Sequence, residues 1–424
     1  MIRKVFLSRY VLIVSGMILS VFIFITCSNK EKTNSKYIST VKYEQFSGEL
    51  SCAKCHKDIY EAHIKTSHYL TSQIGIEKNI KGSFEAGKNT FSYNPSVYIS
   101  MEKRNDSLYQ VEYVNGIEKT AKPFDFVVGS GKRGQTFMYW NKSNLFQLPI
   151  TYFTSAGQWS NSPGYSNKVM FHRPITSRCL ECHSTYFNKI SDAEKYPEEF
   201  SRTDIVLGIS CERCHGPGAK HVEFHTKNPD QKIGQYILNP KTFTRQQSLD
   251  MCRVCHGGKL SKTKPSFEFK AGDTLSNFFA TDSVTKSVAD MDVHGNQFGM
   301  LSASKCFNLS EMTCSSCHSA HDNEIGKLEV FSQRCMNCHS VSKNNFCKMV
   351  DKVSAEKLKK NCIDCHMPEQ SSRAIMVLLQ GQSIPTSAVM RSHFISIYPE
   401  ETKQILSGAK NEKKKMSSII NQEK

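Results

Sequence analysis

The chain has 424 residues, enough for two or three ordinary domains, and 55 Lys and Arg against 39 Asp and Glu give a formal net charge of +16. Apolar residues make up 39% of the sequence, which is too many for a disordered chain and, beyond residue 30, too few for several membrane spans. The unusual residue is cysteine, which occurs 17 times.

Residues 1–27 have the pattern of an export signal. Basic residues precede a nearly continuous apolar run over 10–26, and Cys27 ends this run. The pattern predicts secretion to the periplasmic side of a bacterial membrane, with a lipid anchor at Cys27. An uncleaved N-terminal anchor stays open, because the run is just long enough to cross a bilayer. Residues 28–47 are predicted to be a polar tether.

Residues 81–175 have a different pattern from the segment before them, residues 48–80. Polar and apolar residues alternate over 96–101 and 108–114, which is typical of half-buried strands. Asn115-Gly116 follows directly and is a strong signal for a tight hairpin turn. We therefore predict a small β-rich insert over 81–175.

Seven copies of the pattern C-x-x-C-H account for fourteen cysteines, and we number them motifs 1 to 7 in chain order. They comprise Cys52, Cys55 and His56; Cys179, Cys182 and His183; Cys211, Cys214 and His215; Cys252, Cys255 and His256; Cys314, Cys317 and His318; Cys335, Cys338 and His339; and Cys362, Cys365 and His366. Cysteines at this spacing lie about one helical turn apart, so both thiols can reach the vinyl groups of one porphyrin. The following imidazole can then bind the iron, which predicts seven covalently attached c-type haems.

Two other readings of a C-x-x-C pair are half of a zinc ribbon and a thioredoxin-like redox pair. Seven copies, each followed by histidine, disfavour both readings. The intervals between motif histidines run from 21 to 127 residues, so the motifs do not form a solenoid.

Motif 1 makes residues 48–80 the first haem-binding segment, and the insert over 81–175 contains no motif and therefore no haem. Motifs 2 to 7 fall within residues 176–400, and residues 401–424 are predicted to be a basic polar tail. Because bound haem would replace much of the side-chain core, we predict a mainly α fold with many loops, organised around packed haems.

The positive charge can indicate nucleic-acid binding, but the sequence contains no basic helix or aromatic stacking motif. Each haem would also add roughly two propionates, which leaves the balance only mildly positive. We therefore expect no nucleic-acid partner.

Several motifs have characteristic neighbours. These are Tyr60 and Ser67-x-His68 after motif 1, Gly216-Pro217-Gly218 with His221 after motif 3, His321 after motif 5, and Met367-Pro368 with Ser392-His393 after motif 7. Most of residues 48–396 thereby resembles the multihaem cytochromes c related to the tetrahaem cytochrome of nitrifiers and to hydroxylamine oxidoreductase.

A bis-histidine haem needs a second imidazole on the distal side of the iron, and eight histidines lie outside the motifs. The resemblance implies that His68, His221, His321 and His393 are distal ligands, and His294 looks like a fifth. The roles of His63, His172 and His225 stay open. In an oxidising compartment we expect the leftover Cys306 and Cys347 to form a disulfide, with two free thiols as the alternative.

The favoured function is an exported heptahaem cytochrome that carries electrons through mostly bis-histidine haems. Its partners would be redox proteins of a respiratory chain, and a lipid or an N-terminal segment would anchor it to the membrane. The alternative is a multihaem oxidoreductase that acts on a small nitrogen or sulfur compound at one open haem. We nominate no catalytic residue, although Tyr165, His172 and Arg173 could form a polar pocket, or else pack and bind propionates.

Overall fold

The computed structural model describes residues 40–165, 167–192, 194–280, 287–351 and 353–406. The predicted export signal, the lipid attachment at Cys27, and most of the predicted tether and tail lie outside these residues. Within the described ranges, none of the helices has the length and apolar character needed to cross a membrane.

The helices that the structure describes are short, and each C-x-x-C-H motif contains or adjoins one helical turn. They are α1 Glu49–Ala53, α2 Lys57–His63, α3 Ser177–His183, α4 Cys211–His215, α5 Ala219–Lys227, α6 Arg245–His256, α7 Gln297–Ser302, α8 Lys305–Asn308, α9 Leu328–Met336, α10 Ala355–Lys360, α11 Ile363–His366 and α12 Pro399–Leu406. Short 3-10 turns lie at Tyr43–Gln45, Tyr69–Thr71, Glu77–Asn79, Pro240–Thr242, Leu275–Asn277, Val288–Asp290, Cys314–Ser316, Val341–Lys343 and Lys348–Asp351.

Strands occur along most of the described chain. They are β1 Ser72–Ile74, β2 Thr90–Asn94, β3 Val97–Arg104, β4 Ser107–Val114, β5 Ile117–Pro123, β6 Phe126–Val128, β7 Gly134–Asn141, β8 Asn144–Gln147, β9 Ile150–Phe153, β10 Gln158–Asn161, β11 Arg173–Pro174, β12 Ser184–Lys189, β13 Phe200–Leu207, β14 Ser261–Lys262, β15 Phe279–Ala280, β16 Glu369–Val377 and β17 Thr386–Arg391.

The prediction of a mainly α fold was wrong. About 31% of the described residues are helical and about 26% lie in strands. Residues 176–400, predicted as a core packed around haems, contain three antiparallel hairpins, β12–β13, β14–β15 and β16–β17, between short helices. The region is therefore not a clear haem-packed helical core.

Two antiparallel sheets form the region between motifs 1 and 2. One has the order β2-β3-β4-β5, and the other runs β1-β6-β7-β8-β11, with β9 on β7 and β10 on β9. The predicted turn between β4 and β5 is confirmed: Asn115 and Gly116 have φ of 50° and 76°, the left-handed values that such a turn requires.

The largest core clusters lie within and beside these sheets. One includes Phe91, Ile99, Phe137 and Trp159, all almost fully buried. A second cluster contains Leu180 of α3 together with side chains of β8, β12 and β13. Motif 2 is therefore fixed directly to a rigid sheet.

The part of the chain between residues 309 and 362 is built differently. At the positions described there, Ser332 is the one buried side chain, although motifs 5 and 6 fall in this stretch. We call residues 309–362 the sparse segment.

Candidate functional site

The motif residues form the helical turn that the sequence predicts. The backbone N–H groups of His56, His318 and His339 each donate to the carbonyl oxygen of the first cysteine of the motif at 2.9 Å. This i to i+4 bond closes one turn and keeps both thiols and the imidazole of a motif together.

Thiols of different motifs contact each other across the fold. The contacting pairs are Cys52 with Cys211, Cys182 with Cys255, Cys252 with Cys314, and Cys335 with Cys362. The elements that carry these motifs also pack together: α1 on α4, α3 on α6, α6 on the Cys314–Ser316 turn, and α9 on α11. Motif 1 therefore neighbours motif 3, motif 4 lies between motifs 2 and 5, and motif 6 neighbours motif 7.

Longer-range electrostatic interactions connect these groups. Cys214 interacts with Cys255, which links motifs 3 and 4, and Cys317 interacts with Cys338, which links motifs 5 and 6. The motifs thus follow one another in the order 1, 3, 4, 5, 6 and 7, with motif 2 beside motif 4. We call this arrangement the motif series.

Three motif histidines face a second imidazole at the separation that iron would need. The ring centroids of His68 and His256, of His215 and His321, and of His318 and His393 are each 6.1 Å apart. Two metal–nitrogen bonds of about 2 Å, plus about 1 Å from each nitrogen to its ring centre, give about 6 Å. Motif 2 has a similar neighbour, because His183 and His294 interact electrostatically.

The motif histidines also have the hydrogen bonds expected of metal ligands, which commonly donate the second ring nitrogen to an acceptor. Nδ1 faces the Leu238 carbonyl in His215 (2.9 Å), the Gln297 side chain in His256 (3.1 Å) and the Ser396 carbonyl in His366 (2.8 Å). Each contact occupies Nδ1 and leaves Nε2 as the nitrogen that would bind an iron.

Desolvation and neighbouring imidazoles lower the pKa values of His68, His321 and His393, which favours the neutral form that binds metal. Burial and the adjacent His256 lower the pKa of His68 to about 4. The pKa values of His183 and His393 also fall to about 4, because both rings are buried beside another imidazole. His393 Nδ1 is buried with no hydrogen-bond partner in the described part of the chain. These residues fit a haem iron held between two histidines.

His63 does not fit a ligand role. Its ring is 7% exposed, and its Nδ1 and Nε2 face the carbonyl oxygens of Ala320 (3.2 Å) and Ile209 (3.0 Å). With both ring nitrogens engaged, His63 instead packs at 6.2 Å against His321 and supports that imidazole.

The remaining three non-motif histidines lie apart from these pairs. His221 and His225 are neighbours on α5, with ring centroids 4.6 Å apart, and α5 contacts the Tyr43–Gln45 turn just before motif 1. His172 is exposed and directly precedes β11. Among the described residues, four motif histidines have no ring contact with another imidazole: His56, His183, His339 and His366. Of these, His183 interacts electrostatically with His294.

Of the two interpretations of Tyr165 and Arg173, a polar pocket or a packed contact, the structure has the packed contact. The Arg173 guanidinium lies 5.3 Å from the Tyr165 ring centre and donates to the Pro163 carbonyl, while the buried Tyr165 hydroxyl donates to Gln147. The exposed His172 side chain is not part of this contact. The predicted Cys306–Cys347 disulfide is also not formed, since both residues are free thiols.

A cavity of about 320 Å³ lies next to the segment that holds motif 7. Its lining includes Gln370, Ser371, Arg373, Phe394 and Tyr398. Phe394 and Tyr398 flank Ser396, whose carbonyl accepts the His366 Nδ1–H. The cavity therefore adjoins the support of a motif histidine.

Sequence reasoning missed the carboxylates at the variable positions of three motifs. Glu212 of motif 3 accepts backbone N–H bonds from Ser47, Gly48 and Gly218 at 2.7 to 3.0 Å. Glu181 of motif 2 is fully buried against Arg178, and Asp364 of motif 7 pairs with Arg391 at 2.7 Å. The sequence signal was an acidic residue inside each of these short motifs. An acidic residue at a solvent-exposed position would give the same signal.

Comparison with known proteins supports the class that these motifs define. Residues 154–216, which contain motifs 2 and 3, match the family described as cytochrome c554 and c-prime. The crystal structure of the outer cell wall cytochrome OcwA has a similar fold, with 15% sequence identity, a TM-score of 0.52, and coverage of 85% of this chain and 81% of that chain. No curated protein matches the chain. The family match supports covalently bound c-type haem at motifs 2 and 3, and the structural match shows a fold similar to that of a cytochrome.

Proposed function

We propose that the chain is an exported electron carrier with seven covalently attached c-type haems, most of them held between two histidines. The observation that carries this proposal is the motif series, in which each attachment site adjoins the next. Covalently bound haem supplies reversible one-electron chemistry.

The protein would attach the haems, bind their irons and tune their reduction potentials. The fourteen motif cysteines would form the thioethers, and the seven motif histidines would bind iron on the proximal side. His68, His321 and His393 face the histidines of motifs 4, 3 and 5, so we assign them as distal ligands there. His294 would serve motif 2. His221 would serve motif 1, because α5 contacts the turn before that motif.

Location and partners follow from the same chemistry. Attachment of c-type haem takes place outside the cytoplasm, which agrees with the export signal in the sequence. We therefore propose that the mature chain is lipid-anchored through Cys27 and exchanges electrons with redox proteins of a respiratory chain. The fold shared with an outer cell wall cytochrome is consistent with a site of action beyond the cytoplasm.

The first test is the haem content of the mature protein. The alkaline pyridine assay and intact mass should both give seven covalent haems per chain, one for each motif. A colourless protein, or one that holds zinc on bare thiols, would contradict the proposal.

The second test asks whether the motif series conducts. Cys211→Ala with Cys214→Ala removes motif 3, the link between motifs 1 and 4. Cys179→Ala with Cys182→Ala removes motif 2, which lies beside the series, and is the matched control. When each reduced variant is mixed with a soluble ferric acceptor, the motif 3 variant should show a new slow phase of reoxidation, whereas the motif 2 variant should not. Equal kinetics in both variants would argue against a series.

A second candidate function is an oxidoreductase acting on a small nitrogen or sulfur compound. It requires an iron with an open coordination position. The observation that favours it is that some motif histidines have no second imidazole opposite them.

A further inference from the structure

We infer that motifs 6 and 7 form a pair of haem sites whose irons are open to small exogenous ligands, at one end of the motif series. This inference rests on the proposed function, because it needs haem at both motifs. The ligands that would bind at this end of the motif series are small, uncharged or anionic molecules with one donor atom.

The first argument is an account of the histidines, all 15 of which lie in described residues. Seven belong to the motifs, and His63 is excluded because carbonyl oxygens face both of its ring nitrogens. His68, His294, His321 and His393 are neighbours of motifs 4, 2, 3 and 5. That leaves His172, His221 and His225 for motifs 1, 6 and 7.

The second argument is position. His221 and His225 are both on α5, which packs on the segment that leads into motif 1, so of motifs 1, 6 and 7 we assign them to motif 1. His172 adjoins β11 in the seven-stranded sheet. That sheet meets the β16–β17 hairpin at its far end, where Leu378 bonds to Asn161. Motif 7 precedes the other end of β16. Residues 372–375 of β16 bulge out of the ladder, so the six residues of its partner β17 set the separation of the two ends, about 17 Å. His172 is therefore remote from motif 7.

The third argument is access. His339 is exposed, and its Nδ1 lies 3.4 Å from the Asn345 carbonyl, so the imidazole of motif 6 is held at the surface. The cavity of about 320 Å³ adjoins the Ser396 support of His366, and Arg373 is the one cation among the described residues that line it. Small molecules can reach both motifs, and the arginine favours an anion beside motif 7.

The test counts open irons in the full mature chain. The dithionite-reduced protein is titrated with CO and followed by its visible spectrum, and the oxidised protein is examined for high-spin ferric iron by low-temperature EPR. We expect CO to bind at two of the seven haems, together with a high-spin ferric signal. A count of zero or one would overturn the inference, whether the sixth ligand proved to be methionine, a thiolate such as Cys306, or another group.

Variants locate the open sites. His393→Ala removes the imidazole opposite motif 5 and should raise the CO count by one, which shows that the titration counts open irons. Cys362→Ala with Cys365→Ala removes motif 7 and should lower the count by one, whereas His172→Ala, at an exposed residue outside the motif series, should leave it at two. An unchanged count without motif 7 would overturn the assignment. If seven haems are present and none binds CO, this inference fails while electron transfer stands; if haem is absent, the proposed function itself fails.

Discussion

Glu212 occupies the first variable position of motif 3, and its carboxylate accepts hydrogen bonds from three backbone N–H groups of two separate segments. Two of those groups, on Ser47 and Gly48, belong to the entry into α1 and motif 1. A single side chain inside one attachment site therefore fixes the position of another. This contact accompanies the thiol contact between Cys52 and Cys211.

Replacement of the Glu212 carboxylate by an amide should weaken the contact between motif 3 and the entry into motif 1. Hydrogen bonds to charged groups contribute about 1.5–3 kcal/mol each, so Glu212→Gln should lower the free energy of unfolding by about 2–4 kcal/mol. The control is Glu61→Gln, since Glu61 forms an exposed pair with Lys57 at 3.9 Å that should matter by less than about 0.5 kcal/mol. Denaturant unfolding followed by far-UV circular dichroism measures both. Equal midpoints would show that the Glu212 contacts contribute nothing.

The ligand types, but not their pairing, could be predicted at the residue scale. The spacing within each motif specifies a helical turn, and that turn is present. The distal partners were a different matter, because His68 and His256 are far apart in sequence and meet only through tertiary packing. His63 and His321 are the same residue type, but His63 is buried with carbonyl oxygens facing both ring nitrogens, whereas His321 is exposed, and the sequence shows neither difference.

At the scale of elements, a β-rich region was predicted over 81–175, whereas the strands of 176–400 were missed. β3 and β4 alternate and end at Asn115-Gly116, and they form as predicted. β12 was missed because its first four residues are all buried, so buried and exposed residues do not alternate there. β16 was missed because most of its residues are exposed, which is typical of a loop. The mainly α prediction failed for these physical reasons.

The β16–β17 hairpin joins motif 7 to the sheets, and one end of it depends on a small apolar cluster of Phe153, Val377, Leu379 and Ala388. Leu379→Ala should cost about 2–5 kcal/mol, because it removes a buried side chain and leaves a cavity. Ile384→Ala, in the turn of the same hairpin, changes a side chain that is 77% exposed and should stay within about 0.5 kcal/mol of the parent. Guanidinium unfolding of both variants checks this, and a Leu379 variant as stable as the Ile384 variant would refute the role of the cluster.

At the scale of the whole molecule, rigidity is distributed unevenly. The two sheets contain the large aromatic clusters, whereas the sparse segment, 309–362, has Ser332 as its one buried side chain at the described positions. Local opening is easiest where few apolar contacts are made. Motifs 5 and 6 therefore lie in the part of the chain whose protein contacts are weakest.

Hydrogen exchange in the mature protein should report this difference. Amides of β3 and β7 should exchange most slowly, and amides of residues 340–351 should exchange orders of magnitude faster. Mass spectrometry of peptides after timed labelling gives both rates in one sample. Uniform protection across the two regions would show that attached groups or other contacts make the sparse segment as rigid as the sheets.

The contacts between thiols of different motifs also constrain how such a chain can be assembled. Cys52 and Cys211, or Cys335 and Cys362, would be poised to oxidise to each other if the polypeptide adopted this arrangement in an oxidising compartment with its thiols still bare. Each such crosslink would consume one sulfur from two motifs and block both. Maturation of the chain therefore requires that thioether attachment of haem be faster than folding of the polypeptide. Otherwise a reductant must keep the thiols reduced until attachment is complete.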